Sequence, residues 1–391
     1  MFDKSTQRFP IKEQYAFLSH CSIAPLYSEA LRKEHEVAEA QCRTGLLVYS
    51  RYETILDGLR DASAKLLKTS ADNLAFVKNA SEGIGLIAHG YRFEPGDQVI
   101  SYVHEYPANY YPWKVQERRG VELVLLPDRD ITGTAPAGQP VAWTMLDLEA
   151  RITPRTRIVA LSHVQFASGY AADVKALAGF CQARGIDLVL DAAQSLGCLP
   201  VYPEELGIAA VVSSGWKWLM GPIGTGLLYT SEKFRRKLDL TMVGAESMQQ
   251  GTDYLDHAWN PFNSAKCFEY STSPISLAAA LECCVRAVPL RYGVEAIHAD
   301  ILRLQDVFLA ALDRSRCRPV FEPRVQRSPI LSLIVPGDPN ALRRALLKQN
   351  VICTERGGYL RIAPHFYNTD EEVERAAHLL NDLIESSEIR Q

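Results

Sequence analysis

Short runs of consecutive apolar residues alternate with helical patterns between about residue 70 and residue 230. A strand that is buried on both faces is apolar at nearly every position, so these runs predict a mainly parallel sheet with helices packed on both sides. The segment 172–185 has helical spacing and ends at Gly185, as expected for a crossover helix. The chain is therefore predicted to be an α/β protein. The strand candidates are DQVISYV (97–103), VELVLLP (121–127), RIVALSHV (157–164), IDLVLDAA (186–193), IAAVVSSG (208–215) and TGLLYTS (225–231), the last entering from a tight turn that suits an antiparallel strand.

The pattern changes after about residue 265, where longer helical stretches and fewer strands predict a smaller α+β unit. We expect an amino-terminal segment (1–20), a large ligand-binding domain (21–265) and a small carboxyl-terminal domain (266–391). Residues 128–144 are rich in Gly, Pro and Thr and predict a surface loop. In the small domain, helices are predicted at 276–289, 295–314, 339–350 and from about 369, and strands at 330–337 and 359–364.

Composition and charge exclude several classes of partner. The chain has 391 residues, 47% of them hydrophobic, and a formal charge of −4 without a block of like charge, so neither nucleic acid nor a membrane surface is an expected partner. Its most apolar long window is interrupted by Lys217, Gly and Pro, and its start lacks a signal-peptide core. The nine cysteines show no metal-ligand spacing and suit a reducing compartment, so we expect a cytoplasmic protein without a metal site.

Polar residues follow several of the predicted strands. Asp191 and Gln194 come after DLVL, Lys217 comes after VVSSGW, and the segments HEYPAN (104–109) and SHVQF (162–166) follow two further strands. Ligands of open α/β sheets bind beyond the carboxyl ends of the strands, so a carboxylate, a lysine and an aromatic ring are expected to share one cleft.

This combination suits pyridoxal phosphate (PLP). The cofactor needs a lysine to form a Schiff base, a carboxylate to keep its pyridine nitrogen protonated, and anchors for its phosphate. Lys217, between Trp216 and Trp218, and Asp191 fill the first two roles. Apolar surroundings lower the pKa of a lysine and make the amine a better nucleophile.

The phosphate anchor is predicted in NASEGIGLIAHG (79–90), where small and hydroxyl residues precede an apolar helix. The backbone N–H groups of Ala80 and Ser81 at the positive end of that helix would bind an anion. The alternative is an ordinary helix cap, with Ser81 or Asn79 as the N-cap and Glu82 in the first turn.

Seven motifs occur in this order over most of the chain: NASEG, HEYPAN followed by YPW, SHVQFASG, DAAQSLG, SSGWKWLMGPIGTG, FEYST and RIAPHFYNT. Together they resemble the class V aminotransferase family of fold-type I PLP enzymes, which includes cysteine desulfurases, selenocysteine lyases and isopenicillin N epimerase. The resemblance implies a large domain with a mainly parallel sheet of the seven-stranded type.

The resemblance implies a role for each matching residue, and a homodimer with shared active sites. Lys217 and Asp191 would be the catalytic pair, and Arg361 would bind the substrate carboxylate. Thr272 would reach the phosphate of the neighbouring subunit. The remaining implied cofactor contacts are Ala80, Ser81 and Ser214 to the phosphate, Tyr106 stacked on the ring, and Gln194 beside the ring hydroxyl.

The sequence also departs from the best-known desulfurases. Trp216 replaces a histidine, and Phe166 stands where an asparagine is usual, so the polar contact is missing or comes from Gln165. Cys353 falls on a short segment predicted to be a strand, whereas a persulfide-forming cysteine must be mobile and exposed. In addition, His20 and Ser22 are expected to line the cleft, with Trp216, Trp218 and Phe166 forming an apolar wall around the substrate.

These features predict a lyase or transaminase acting at Cα or Cβ of a small or sulfur-containing amino acid, with Lys217 as the general base. Elimination, transamination, epimerisation and desulfuration all remain open. A nicotinamide-dependent reductase is disfavoured because no GxGxxG links an early strand to a helix. A non-catalytic scaffold would give no reason to keep Lys217, Asp191 and Arg361 together.

Overall fold

The computed structural model describes residues 1–322 and 327–388. Its strands form three sheets of two, four and seven strands. Numbered along the chain, they are β1 (Ala16–Phe17), β2 (Leu74–Val77), β3 (Gln98–Tyr102), β4 (Glu122–Leu126), β5 (Thr156–Ser162), β6 (Asp187–Asp191), β7 (Ala210–Ser214), β8 (Gly226–Thr230), β9 (Arg318–Pro319), β10 (Leu331–Ile334), β11 (Val351–Ile352), β12 (Thr354–Arg356) and β13 (Tyr359–Ile362).

The seven-stranded sheet has the order β2-β8-β7-β6-β5-β3-β4. β3 to β7 pair in parallel, and β8 runs antiparallel to both of its neighbours. The α/β class, the parallel strands and the antiparallel direction of the TGLLYTS strand are thus confirmed. β3, β5, β6 and β7 all end at the same edge of the sheet, which is the edge where ligands bind in such folds.

The continuous apolar strands are buried on both faces. In β5, Val159 and Leu161 belong to one hydrophobic cluster, and Ile158 and Ala160 belong to a second cluster on the opposite face. Successive side chains of a strand point to opposite faces, so the four positions from Ile158 to Leu161 must all be apolar to satisfy both layers.

Helices cover the two faces of the sheet. The helix α3 (Ala80–Gly90) packs on one face, while α2 (Tyr52–Leu67), α6 (Val174–Ala183) and α9 (Ile275–Val285) contribute to the cluster on the other. The helices are α1 (Ser28–Thr44), α2 (Tyr52–Leu67), α3 (Ala80–Gly90), α4 (Tyr111–Lys114), α5 (Met145–Glu149), α6 (Val174–Ala183), α7 (Pro203–Leu206), α8 (Glu232–Arg235), α9 (Ile275–Val285), α10 (Val294–Ala311), α11 (Pro339–Lys348) and α12 (Asp370–Glu388).

The four-stranded sheet, in the order β12-β13-β10-β9, packs with α10, α11 and α12 around a separate core. The amino-terminal segment joins this part of the chain because β1 pairs in parallel with β11. The helix predicted over 276–289 is divided: α9 ends at Val285, and a π-helical turn over Arg286–Leu290 contains Pro289, which cannot continue a regular hydrogen-bond ladder. The predicted boundaries at residues 20 and 265 stay predictions.

The described part of the chain contains no helix that is both long enough and apolar enough to span a bilayer.

Candidate functional site

A cavity of about 350 Å³ opens where β3, β5, β6 and β7 end. It brings together side chains from the segments that the sequence singled out at the strand ends. The lining residues are Asn79, Ala80, Ser81, Tyr106, Ala108, Ser162, Val164, Phe166, Asp191, Ala193, Gln194, Ser214, Trp216 and Lys217.

A tight turn after β7 carries Lys217. The turn is closed by hydrogen bonds from the N–H of Met220 to the carbonyl of Lys217 (3.1 Å) and from the N–H of Gly221 to the carbonyl of Gly215 (2.8 Å). A Cβ on Gly215 would lie 2.2 Å from Oγ1 of Thr225, so no larger residue fits there. The glycines around Lys217 therefore reflect close packing of the turn that presents the lysine.

Lys217 and Asp191 both line the cavity, and the charge of each affects the pKa of the other. Burial lowers the pKa of Lys217, and the charge of Asp191 opposes that effect. Asp191 is 4% exposed, and burial raises its pKa against a hydrogen bond from the N–H of Ala193 (2.9 Å) and the charge of Lys217. No other group in the described residues donates to this carboxylate, so Asp191 is available to a cationic N–H in the cavity.

The start of α3 lies at one end of the cavity. The Oδ1 atom of Asn79 caps the helix by accepting the N–H of Glu82 at 2.8 Å. Asn79 is thus the N-cap of the two candidates, which leaves the exposed hydroxyl of Ser81 free to face the cavity. With the N–H groups at Ala80 and Ser81 and the lining residue Ser214, the donors suit a phosphate.

Two aromatic rings define the open side of the cavity. The rings of Tyr106 and Phe166 meet edge to face, with centroids 5.3 Å apart and an interplanar angle of 80°. The Nζ atom of Lys217 lies 5.4 Å from the centroid of Tyr106, which is 46% exposed. A flat ring held above Lys217 would therefore meet Tyr106.

The two glutamines of the predicted site have different positions. Gln194 lines the cavity and is fixed by a hydrogen bond from Nε1 of Trp218 to its Oε1 (3.1 Å) and one from its Nε2 to the carbonyl of Cys21 (2.9 Å). The Nε2 atom of Gln165 instead donates to Glu105 (2.9 Å), and Gln165 does not line the cavity. The structure therefore gives Gln165 a supporting position, and its predicted contact with the cofactor is not seen.

The positions of His20 and Trp218 contradict the predictions that both residues line the cleft. Both side chains are fully buried, and the Nε2 atom of His20 hydrogen-bonds to the hydroxyl of Tyr367 (2.7 Å). The rings of His20 and His365 lie 4.6 Å apart, beside Trp218. His20 therefore does not line the cleft as expected. Of the predicted apolar wall only Trp216 and Phe166 line it, because the turn after β7 places Trp218 in the core beside His20.

Arg361 contacts the lining residue Phe166 but, like Gln165, is not itself among the residues that line the cavity. It is 2% exposed, and burial lowers its pKa. Its Nη1 atom donates to the carbonyl of Phe166 (2.5 Å) and its Nη2 atom donates to Oγ1 of Thr354 (3.0 Å), while Nε has no partner. No carboxylate of the described residues pairs with Arg361, so the guanidinium suits a carboxylate brought by a ligand.

Thr272 lies away from this cavity. It is exposed on the loop before α9 and lines a separate cavity of about 30 Å³ with Lys78, Glu82 and Tyr270. The implied contact of Thr272 with a neighbouring subunit therefore stays a prediction.

Sequence reasoning gave no role to Glu105, although this residue lies under the cavity. Its carboxylate accepts hydrogen bonds from the N–H (2.8 Å) and hydroxyl (2.5 Å) of Ser162, and burial raises its pKa to about 7. The signal in the sequence that could have indicated this residue is its position shortly after the buried strand β3 and next to Tyr106.

Cys353 lies between β11 and β12 and is 3% exposed. Burial raises its pKa to about 12, so the thiolate is strongly disfavoured. This agrees with the expectation that Cys353 is structural.

Comparisons with known proteins give one consistent family. The model described as Aminotransferase class-V matches residues 28–376. A probable cysteine desulfurase of Methanothermobacter thermautotrophicus is 26% identical over 396 aligned residues, which cover 96% of each chain. A mutant of C-DES with glycine covalently linked to its PLP cofactor superimposes with a TM-score of 0.87 at 20% identity, over 96% of this chain and 99% of that one. The cystine C-S lyase C-DES in complex with cysteine persulfide gives 0.86 at 19% identity, over 95% and 99%.

The structures share the fold, and the family match covers nearly the whole chain. It includes the turn of Lys217, the strand end of Asp191 and the strand of Arg361. The chain therefore belongs to the aminotransferase class-V family of PLP-dependent enzymes, as the motifs predicted.

Proposed function

We propose that this enzyme is a PLP-dependent C–S lyase that eliminates the sulfur substituent from Cβ of a small sulfur-containing amino acid. The observation that carries the proposal is that no cysteine lines the cavity in the part of the chain that the structure describes. Cys353 is buried with a raised pKa, and Cys21 is 3% exposed, with its sulfur 3.6 Å from the hydroxyl of Thr354. A cystine C-S lyase with the same fold supports this class of reaction.

The residues of the cavity suit the cofactor. Bound PLP supplies an aldehyde for amines and an electron-withdrawing ring that stabilises a carbanion at Cα. Ser81, Ser214 and the N-terminus of α3 would hold its phosphate, Asp191 would keep a proton on the pyridine nitrogen, and Lys217 would be its attachment point. This assignment of roles gives the unpaired charge of Asp191 a cationic partner.

The same residues account for the steps of the elimination. Arg361 binds the substrate carboxylate through guanidinium N–H groups that have no acidic partner in the described residues. The Nζ atom of Lys217, whose pKa is lowered by burial, removes the proton from Cα as a general base. The electron pair of the Cα–H bond would form the Cα=Cβ double bond as the Cβ–S bond breaks, and the sulfur would leave with the Cβ–S bonding pair. Trp216 and Phe166 give the substrate side chain an apolar, uncharged surround.

Product analysis tests this proposal. The purified protein is incubated with L-cystine and with L-cysteine, and pyruvate, ammonia, alanine, sulfide and D-isomer are measured. Elimination predicts pyruvate and ammonia in equal amounts with released sulfur. Alanine would indicate desulfuration, a sulfur-containing keto acid would indicate transamination, and D-isomer alone would indicate epimerisation; each of these results contradicts the proposal.

Two variants control the assay. Lys217→Ala should give no product and should lose the borohydride-dependent attachment of the cofactor at residue 217, as read by mass spectrometry. Cys353→Ala should form pyruvate at the wild-type rate. Loss of activity in Cys353→Ala with normal cofactor content would revive a persulfide mechanism.

We further propose a homodimer with shared active sites, supported by an exposed apolar surface near the loop of Thr272. Tyr49 brings two segments of this surface together by donating to Glu246 (3.2 Å). Such patches on soluble proteins commonly mark interfaces. The surface is made of Leu46, Leu47, Tyr254, Leu255 and Trp259, which are 59% to 90% exposed.

Light scattering tests the dimer, and Leu255→Asp with Trp259→Asp should give a monomer. Mixing Lys217→Ala with Thr272→Ala tests shared sites, because one of the two sites in a mixed dimer would combine wild-type Lys217 with wild-type Thr272. The nine cysteines are all free, which supports our proposal of a reducing, cytoplasmic location.

A further inference from the structure

The hydroxyl of Thr354 lies at the centre of a hydrogen-bond network around Arg361. Thr354 and Arg361 are directly opposite each other on the antiparallel pair β12 and β13. The Oγ1 atom of Thr354 accepts a hydrogen bond from Nη2 of Arg361 (3.0 Å) and one from Oγ of Ser19 (3.2 Å). Both acceptor positions of the threonine oxygen are therefore used.

The direction of this network follows from Arg361, which can only donate. Because Thr354 receives two hydrogen bonds, its own proton is free for the sulfur of Cys21, which lies 3.6 Å from Oγ1. The hydroxyl oxygens of Ser19 and Ser22 lie 2.6 Å apart, and the hydroxyl of Ser22 donates to the backbone carbonyl of Ser19 at 3.0 Å. The network therefore links the amino-terminal segment to Arg361 through Ser19 and Thr354.

The other side of Arg361 is fixed by the loop after β5. The carbonyl of Phe166 accepts a hydrogen bond from Nη1 of Arg361, and the carbonyl of Ala167 accepts one from the hydroxyl of Ser332 at 2.8 Å. Ser332 is the partner of Arg361 on the neighbouring strand β10. Thr354, Arg361 and Ser332 thus lie side by side on three neighbouring strands. Together they fix the position of the guanidinium and of the loop that it contacts.

Two neutral oxygens, rather than a carboxylate, hold this buried guanidinium. They fix its plane while leaving its positive charge uncompensated and Nε without a partner. A planar guanidinium in a fixed orientation can bind a carboxylate through two parallel hydrogen bonds.

We propose that Thr354, supported by Ser19, is a positioning residue that sets the orientation of Arg361 for the carboxylate of the amino-acid substrate. This inference rests on the amino-acid site of the proposed function and does not depend on elimination as the outcome. Thr354 acts through Arg361, without contact with the reacting atoms, so its removal should affect recognition of the carboxylate selectively.

The test compares two ligands that differ only in the group recognised. L-alanine carries the carboxylate, and L-alaninamide carries a neutral amide in its place. Neither has a leaving group at Cβ, so binding is read from the absorbance change of the bound cofactor. Thr354→Val keeps the β-branched shape and removes the hydroxyl, and Thr354→Ser keeps the hydroxyl.

Thr354→Val should weaken L-alanine binding about tenfold, because the hydrogen bond from the charged Arg361 to the threonine hydroxyl is lost. The same variant should bind L-alaninamide as the wild type does. Thr354→Ser should restore the wild-type affinity. Ser19→Ala, which removes one donor to Thr354, should weaken L-alanine binding about threefold. Arg361→Lys provides the reference for loss of the carboxylate contact.

Each other outcome overturns the proposal. Equal weakening of both ligands in Thr354→Val would show a structural role only. Unchanged L-alanine binding in Thr354→Val, together with weakened binding in Arg361→Lys, would refute the role of Thr354 and keep the proposed site. Unchanged binding in Arg361→Lys, or no response of the wild type to L-alanine, would refute the amino-acid site itself.

Discussion

Replacing Glu105 by glutamine should stabilise the protein above neutral pH. The carboxyl group of Glu105 is 7% exposed, and burial raises its pKa from 4.5 to about 7, against the hydrogen bonds from Ser162 and Gln165. Between these two pH values the folded protein binds a proton that the unfolded chain has lost. Stability therefore falls as pH rises through this window, and the full cost of ionising Glu105 is present above pH 7.

The size of this cost follows from the two pKa values. A rise from 4.5 to about 7 corresponds to roughly 3 kcal/mol of destabilisation at pH 8, and to none below pH 4.5. Glutamine can keep the local hydrogen bonds. Its carbonyl oxygen can accept from the N–H of Ser162 and from Gln165, and its NH₂ group can donate to the Ser162 hydroxyl, which is free to rotate.

The assay is urea unfolding of both proteins without cofactor, followed by tryptophan fluorescence at pH 5, 6, 7 and 8. The free energy of unfolding of Glu105→Gln minus that of the wild type should grow with pH and reach up to about 3 kcal/mol at pH 8. Groups that titrate in both proteins cancel in this difference.

Glu269 provides a comparison in which the buried carboxylate has a cationic partner. Burial raises its pKa to about 7 as well, but its carboxylate is 3.2 Å from the guanidinium of Arg60. Glu269→Gln removes one of the two carboxylates that pair with Arg60, the other being Asp57 at 3.1 Å, so its gain in stability with pH should be smaller than that of Glu105→Gln. If Glu105→Gln is less stable than the wild type at pH 8, the three donors around Glu105 stabilise its charged form, and the reasoning is wrong.

Three further substitutions test the site. Asp191→Asn should lower kcat/KM by at least about a hundredfold. A neutral amide cannot keep a pyridinium protonated, and it no longer raises the pKa of Lys217. Steady-state kinetics and the cofactor content of the variant check this prediction. Cys353→Ala should keep full activity and lose about 1 kcal/mol of stability by urea unfolding. Gly215→Ala should lower stability by about 2 kcal/mol and release cofactor on dialysis, because its Cβ would clash with Thr225.

The sequence could predict those parts of the site that depend on single strand ends. Asp191 and Lys217 directly follow or closely follow strands whose apolar runs are unambiguous, and parallel strands place their carboxyl ends at one edge. The N-terminus of α3 is likewise a local signal, since small and hydroxyl residues precede an apolar helix there. The sequence left Asn79 and Ser81 as N-cap candidates, and the structure selects Asn79.

The side on which a turn residue lies could not be predicted in the same way. Trp216 lines the cavity, but Trp218, two residues later, is fully buried beside His20. The turn contains Met220 with a positive φ of 58°, a conformation that neither helical nor strand periodicity describes. No regular period therefore assigns the faces of residues 216 and 218.

Contacts between residues that are far apart in the sequence could not be predicted either. Thr354 and Ser19 are 335 residues apart and meet only because the short strand β1 pairs with β11. Two-residue strands carry almost no periodic signal, so neither the pairing nor the environment of Arg361 could be deduced.

The amino-terminal segment 16–24 connects the two reactive ends of the site. It binds the lysine turn through the N–H of Ala24, which donates to the carbonyl of Trp216 at 2.9 Å, and it receives Nε2 of Gln194 at the carbonyl of Cys21. The same segment reaches Arg361 through Ser19 and Thr354. The distance between Lys217, the proposed general base, and Arg361, the proposed carboxylate site, is thus set partly by a segment that contains neither residue. Catalysis at Cα needs both groups on one small substrate, so changes in this segment should affect kcat and KM together even where the cofactor stays bound.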